Sequence, residues 1–130
     1  MRVHLASAVT AMASIVLFST SLCLTPVVAA PIGKLAPNEI QATFFSGQPF
    51  TAATKSNVKF KMMFSADGKM KREPAGGGGG AKGTGTWQLS KDGFCTAWSG
   101  AKANCFTVVG AGDNKWSIKK GSTVVATWSK

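Results

Sequence analysis

Apolar and polar positions change rhythm once along this chain, near Gln48. Before that point, Leu5 to Val28 is an almost uncharged run rich in Ala, Val, Leu and Phe. Leu35 to Phe45 then spaces Leu35, Ile40 and Phe44 near one helical face. Pro37 suits a first helical turn, Glu39 suits the positive end of the helix dipole, and Gly47 is a stop signal. After Gln48 an alternation of period two takes over, interrupted by turn residues.

Val58, Phe60, Met62 and Phe64 alternate with Lys59, Lys61, Met63 and Ser65, the pattern of a half-buried strand. Ser65-Ala66-Asp67-Gly68 predicts a type I turn with a glycine bulge. That turn sets Phe64 opposite Met70 and Lys61 opposite Glu73. Lys59, Lys61, Lys69 and Lys71 then share one outer face. Gly76 to Gly80 cannot hold regular structure at reasonable entropic cost and predicts a mobile loop.

Thr84 to Ser90 is the next strand, with Trp87 and Leu89 on one face, and Ser90-Lys91-Asp92-Gly93 repeats the earlier turn chemistry. Phe94 to Ser99 and Asn104 to Val109 flank a turn at Gly100. Around this hairpin both faces look apolar, with Trp87, Leu89, Cys95, Ala97 and Val109 on one side and Phe94, Trp98, Phe106 and Val108 on the other. One side is core; the other is covered by the helix or exposed as a binding surface. Lys115 to Lys120 and Thr123 to Ser129 form a last hairpin around Gly121. A three-residue turn there groups Trp116, Ile118, Val124, Ala126 and Trp128 on one face. A two-residue Gly121-Ser122 turn splits that set, so the first register is preferred.

These segments predict a mainly β domain. One short helix precedes an antiparallel meander of six to eight short strands, closed as a small barrel or packed as a sandwich. Closure would also remove exposed strand edges.

Composition adds an address. Arg2, the apolar run and the small residues before Pro31 are the pattern of a cleavable export signal over residues 1–30, leaving one domain over 31–130. Cleavage after Ala29 or after Ala30 fits. Two other readings are a retained membrane anchor, since Leu5 to Val28 is long enough to span, and a lipoprotein acylated at Cys23, for which Thr20-Ser21-Leu22 has the wrong shape. With cleavage the expected location is periplasmic or secreted, and no membrane span remains. The only histidine, His4, and one of three cysteines, Cys23, leave with the signal.

The remaining Cys95 and Cys105 lie symmetrically about Gly100, which opposes them on neighbouring strands at bridging distance. Export favours their oxidation to a disulfide. Their spacing is far from Cys-x-x-Cys, and without histidine or a second cysteine pair no metal site is expected. Neither Ser-His-Asp nor Cys-His catalysis is possible without His4. Of the five carboxylates, Asp67, Asp92 and Asp113 sit in turns, Glu73 faces Lys61, and Glu39 suits a helix start. No enzymatic activity and no cofactor are expected. Gly76 to Gly83 leads through Lys82 into a strand rather than a helix, so it is no phosphate-binding loop.

Charge supplies the partner hypothesis. The whole chain carries a net charge of +10, and +9 without Arg2. Thirteen of its fifteen cations are lysines, point charges less suited than arginine to bidentate recognition. Lys59, Lys61, Lys69 and Lys71 form the candidate surface for an anionic envelope component or protein. Met63 lies among them where single-stranded nucleic acid would want an exposed aromatic, and sequence-specific nucleic acid is not expected.

Phe64-x-x-Asp67-Gly68, Gly85-Thr86-Trp87, Gly93-x-Cys95-x-x-Trp98 and Cys105 together resemble an uncharacterised alphaproteobacterial exported family, domain of unknown function 995. The resemblance spans Leu35 to Trp128 and implies export but no activity. Gly85-Thr86-Trp87-Gln88-Leu89-Ser90, the cysteine pair and Trp116 are also similar to small secreted barrel inhibitors of bacterial metalloproteases. That similarity implies an eight-stranded barrel and an N-terminal arm, here Ala30 to Leu35, entering a protease cleft. Trp87 departs from the pattern by lying mid-chain.

The expected function is therefore an exported, monomeric, non-enzymatic binding module for an anionic partner. The alternatives are a secreted protease inhibitor and a carrier of a small apolar ligand in the barrel interior.

Overall fold

The computed structural model describes residues 33–76 and 79–130. Residues 1–32, which hold the expected export signal, His4 and Cys23, and Gly77 and Gly78 of the pentaglycine loop lie outside the described residues. One helix, α1 (Pro37–Phe44), precedes eight strands: β1 (Phe50–Thr54), β2 (Lys59–Phe64), β3 (Lys69–Pro74), β4 (Gly83–Leu89), β5 (Phe94–Trp98), β6 (Asn104–Gly110), β7 (Lys115–Lys120) and β8 (Thr123–Ser129). Each strand pairs antiparallel with the next, and β8 returns to β1, so the sheet is a closed barrel and not a sandwich.

The helix starts as its residues dictate. Pro37 takes the first turn, and the Glu39 carboxylate accepts a hydrogen bond from the Ala36 N–H at 3.1 Å, satisfying one orphan donor. Leu35, Ile40 and Phe44 are buried as expected, and Phe45, just past the last turn, is buried with them. Phe44 and Phe45 enter one end of the barrel as a plug. Phe44 meets Trp116 edge-on at 4.9 Å between centroids and Trp128 at 4.9 Å. Phe45 stacks on Phe64 at 4.7 Å and leans on Trp87 at 4.3 Å. Lys130 donates from Nζ to the Thr43 carbonyl, a cation at the negative end of the helix.

The first hairpin has the expected register, Phe64 with Met70 and Lys61 with Glu73. The second does not repeat it. Ser90 N–H donates to the Gly93 carbonyl at 3.0 Å, and Leu89 pairs with Phe94. The β4–β5 turn is thus one residue shorter than the β2–β3 turn, and that residue reverses the expected faces. Trp87 pairs with Thr96, where a repeat of the first turn would have set it opposite Ala97. Trp87 and Leu89 therefore share the inside with Phe94, Trp98, Phe106 and Val108, leaving Cys95, Ala97 and Val109 outside. The second apolar face does not exist, and the helix covers a barrel end instead. Gly93, just before β5, lies very close to the β6 backbone: a Cβ there would stand 2.0 Å from the Phe106 carbonyl oxygen.

The last hairpin combines the two registers weighed for it. Lys120 pairs with Thr123 across a two-residue turn, yet Trp116 pairs with Trp128 and Ile118 with Ala126. A bulge after Ile118 absorbs the odd residue. Trp116, Ile118, Ala126 and Trp128 stay inside, whereas Val124 is turned out and 36% exposed.

Candidate functional site

The two ends of the barrel differ. At the plugged end, Phe44, Phe45, Phe50, Phe64, Trp87, Trp116 and Trp128 fill the interior. The opposite end is formed by the last residues of β1, β3, β5 and β7 and the first of β2, β4, β6 and β8, and the described residues do not fill it. A cavity of about 160 Å³ runs inward from there. Thr54, Arg72, Trp98 and Val125 stand around its mouth. Phe60, Met62, Thr96, Phe106, Ile118 and Ala126 form its walls, and Phe64, Phe94 and Trp128 its floor. That floor rests directly on the helix plug, Trp128 against Phe44 and Phe64 and Phe94 against Phe45.

Small residues make this space. Ala52 and Ala126 point inward from paired elements of the same wall. On β4, Gly83 and Gly85 face inward without side chains, opposite Arg72 and Met70 on β3. Through the lane over Gly83, Arg72 reaches from β3 towards Trp98 on β5. A Cβ on Gly83 would come within 3.2 Å of Arg72 Nε and 3.4 Å of the Trp98 ring.

Arg72 lies between two rings. Its guanidinium carbon is 4.5 Å from the Trp98 centroid and 5.0 Å from that of Phe60, within cation–π range of both. Its Nε is buried without a hydrogen-bond partner among the described residues. The ion pairs there, Lys34–Asp92 and Lys69–Asp67, do not involve it. Sequence reasoning passed over Arg72, although it is the only arginine besides Arg2. Two signals could have found it. It is the arginine in a chain that otherwise uses lysine, and the register that turns Lys69 and Lys71 outward turns residue 72 inward.

The four lysines singled out from the sequence do share the outer face of β2 and β3, all exposed. Lys69 and Lys71 border a shallow outer trough with Met63, Thr84, Thr86 and Ala97. Two carboxylates stand beside them: Glu73 opposite Lys61, and Asp67 at 4.0 Å from Lys69. Half of the cationic excess is therefore offset locally.

Cys95 and Cys105 are directly paired and joined in a disulfide on the outer surface of the β5–β6 hairpin, with Cα atoms 3.9 Å apart. The proposed inhibitor arm is docked where it is described. Lys34 bridges to Val109, the Leu35 N–H donates to the Val108 carbonyl at 2.8 Å, and Leu35 is buried; residues 30–32 lie outside the described residues. Among the described residues the carboxylates do not converge: no group of three His, Cys, Asp or Glu could hold a metal, and no helix is long and apolar enough to cross a membrane. Comparison of the chain with protein families, curated proteins and solved structures returns no match.

Proposed function

We propose that this protein is an exported, non-enzymatic carrier or sensor whose barrel takes a small, largely apolar ligand through its open end. The observation that carries this reading is the contrast between the ends, one packed solid by α1 and the other opening into a cavity of about 160 Å³. A void of roughly 150 Å³ lined by apolar side chains accepts a molecule the size of benzene, so the apolar part of the ligand is a ring or a short acyl chain. The Cys95–Cys105 disulfide supports a working place in an oxidising compartment.

The test is saturable one-to-one binding of a small apolar probe such as 1-hexanol, lost in Ala126→Leu, which fills the cavity from its wall. Binding that survives this substitution, or no binding to the native protein, removes the reading. A second reading, an anionic polymer on Lys59, Lys61, Lys69 and Lys71, is favoured by the outer trough between Lys69 and Lys71. With Glu73 and Asp67 on the same face, such binding is weak and strongly salt-dependent.

A further inference from the structure

The Arg72 side chain makes the cavity more than an apolar hole. A guanidinium beside a nonpolar space is costly unless its N–H groups find acceptors. Here Nε has none among the described residues. The rings of Phe60 and Trp98 hold the group by its faces, which leaves only the edge, where all the donors lie, free to bond. An arginine edge presents two parallel N–H groups at the spacing of a carboxylate's two oxygens.

We infer that the cavity selects a small amphipathic carboxylate. Its two oxygens take the Arg72 edge at the mouth, and its apolar body lies against the floor of Phe64, Phe94 and Trp128. This rests on the cavity being a ligand site and adds the head group. Three features of the fold serve it. Gly83 keeps clear the space in which Arg72 meets Trp98. No carboxylate of the protein occupies the guanidinium in an ion pair among the described residues. The walls offer little else that is polar: among the described residues, Thr54 and Thr96 are the only other hydrogen-bonding side chains around the cavity apart from the indoles of Trp98 and Trp128.

The size of the space limits the body to about that of a benzene ring or a short alkyl chain, so a long-chain fatty acid would protrude through the mouth. The exposed lysines do not provide the same chemistry. They are point charges on the outer face, with no apolar enclosure to hold a ligand body.

The experiment is calorimetric titration of the protein, expressed from its full-length sequence, with hexanoate, 1-hexanol and inorganic phosphate, repeated on Arg72→Gln. The inference predicts hexanoate binding at least about tenfold tighter than hexanol, as a charge-assisted bidentate pair requires. Arg72→Gln should erase that preference, so that the variant binds hexanoate no more tightly than hexanol, and phosphate alone should bind the native protein far more weakly than hexanoate. Equal affinity for hexanol and hexanoate overturns the anion assignment and leaves the apolar cavity standing. Phosphate binding as tight as hexanoate overturns it too, by showing a bare anion site. Failure of both hexyl ligands overturns the cavity reading together with this one. Should Arg72→Gln fail to fold, the three-ligand comparison on the native protein decides alone.

Discussion

Arg72 and Trp98, two strands apart, lie in contact across the side-chain gap at Gly83, with the guanidinium carbon 4.5 Å from the indole ring centroid. The contact is stabilising by about 0.5–2 kcal/mol, while the unpartnered Nε costs about 1–3 kcal/mol. The two nearly cancel. Arg72→Met is therefore expected to leave the ligand-free protein within about 1 kcal/mol of native stability or above it, as measured by urea unfolding. A loss well beyond that would make Arg72 a structural residue rather than one kept for binding.

Gly83→Val closes the lane between Arg72 and Trp98, since even a Cβ there would press on both. The expected outcome is a changed tryptophan fluorescence spectrum and loss of any preference for anionic over neutral ligands. Retention of that preference would mean that Arg72 acts without Trp98.

Gly93→Ala is expected to destabilise the fold by about 1–3 kcal/mol, the usual range for overpacking, because the added carbon would meet the Phe106 carbonyl oxygen at 2.0 Å. That neighbour is backbone in a paired strand and cannot swing aside. Thermal unfolding measures the loss, and an unchanged midpoint would contradict the close approach of Gly93 to β6.

The Cys95–Cys105 disulfide closes a short ring, with a sequence separation of 10. Reduction, or replacement of both cysteines by alanine, is expected to cost about 2–3 kcal/mol on the loop-closure estimate. The barrel should survive, since the bridge lies outside the core. Thiol labelling that appears only after reductant checks the bond itself.

Changing Lys59, Lys61, Lys69 and Lys71 together to glutamine should reduce retention on an anionic matrix at low salt and leave small-ligand affinity unchanged. The side chains are exposed on the outer face, and a charge effect over that distance is screened at physiological salt. Altered ligand affinity would tie the outer face to the cavity.

Much of this architecture was legible in the residues. Alternation around Phe60, Met62 and Phe64, and the turn at Asp67-Gly68, fix the first hairpin. The symmetry of Cys95 and Cys105 about Gly100 fixes another. The failures share one cause. Side-chain parity in a strand is decided by the length of the preceding turn, and Ser90-Lys91-Asp92-Gly93 has the composition of its predecessor but is one residue shorter in the fold. The pairing of Trp87 with Thr96 follows from that residue alone. Likewise, the bulge after Ile118 is the compromise between a preferred short turn and the burial of Trp116 and Trp128. The cavity was not legible because an empty volume is a sum over all eight strands. Arg72 was legible in principle, as an inward cation at a known register.

The most direct test of the central claim is a map of amide chemical shifts during titration with hexanoate. The account predicts saturable shifts at the open end, at Thr54, Phe60, Thr96, Trp98, Phe106 and Val125, with Phe44, Phe45 and Trp116 at the plugged end little changed. Shifts confined to the lysine face around Lys61 and Lys71, or no saturable shift anywhere, would contradict it.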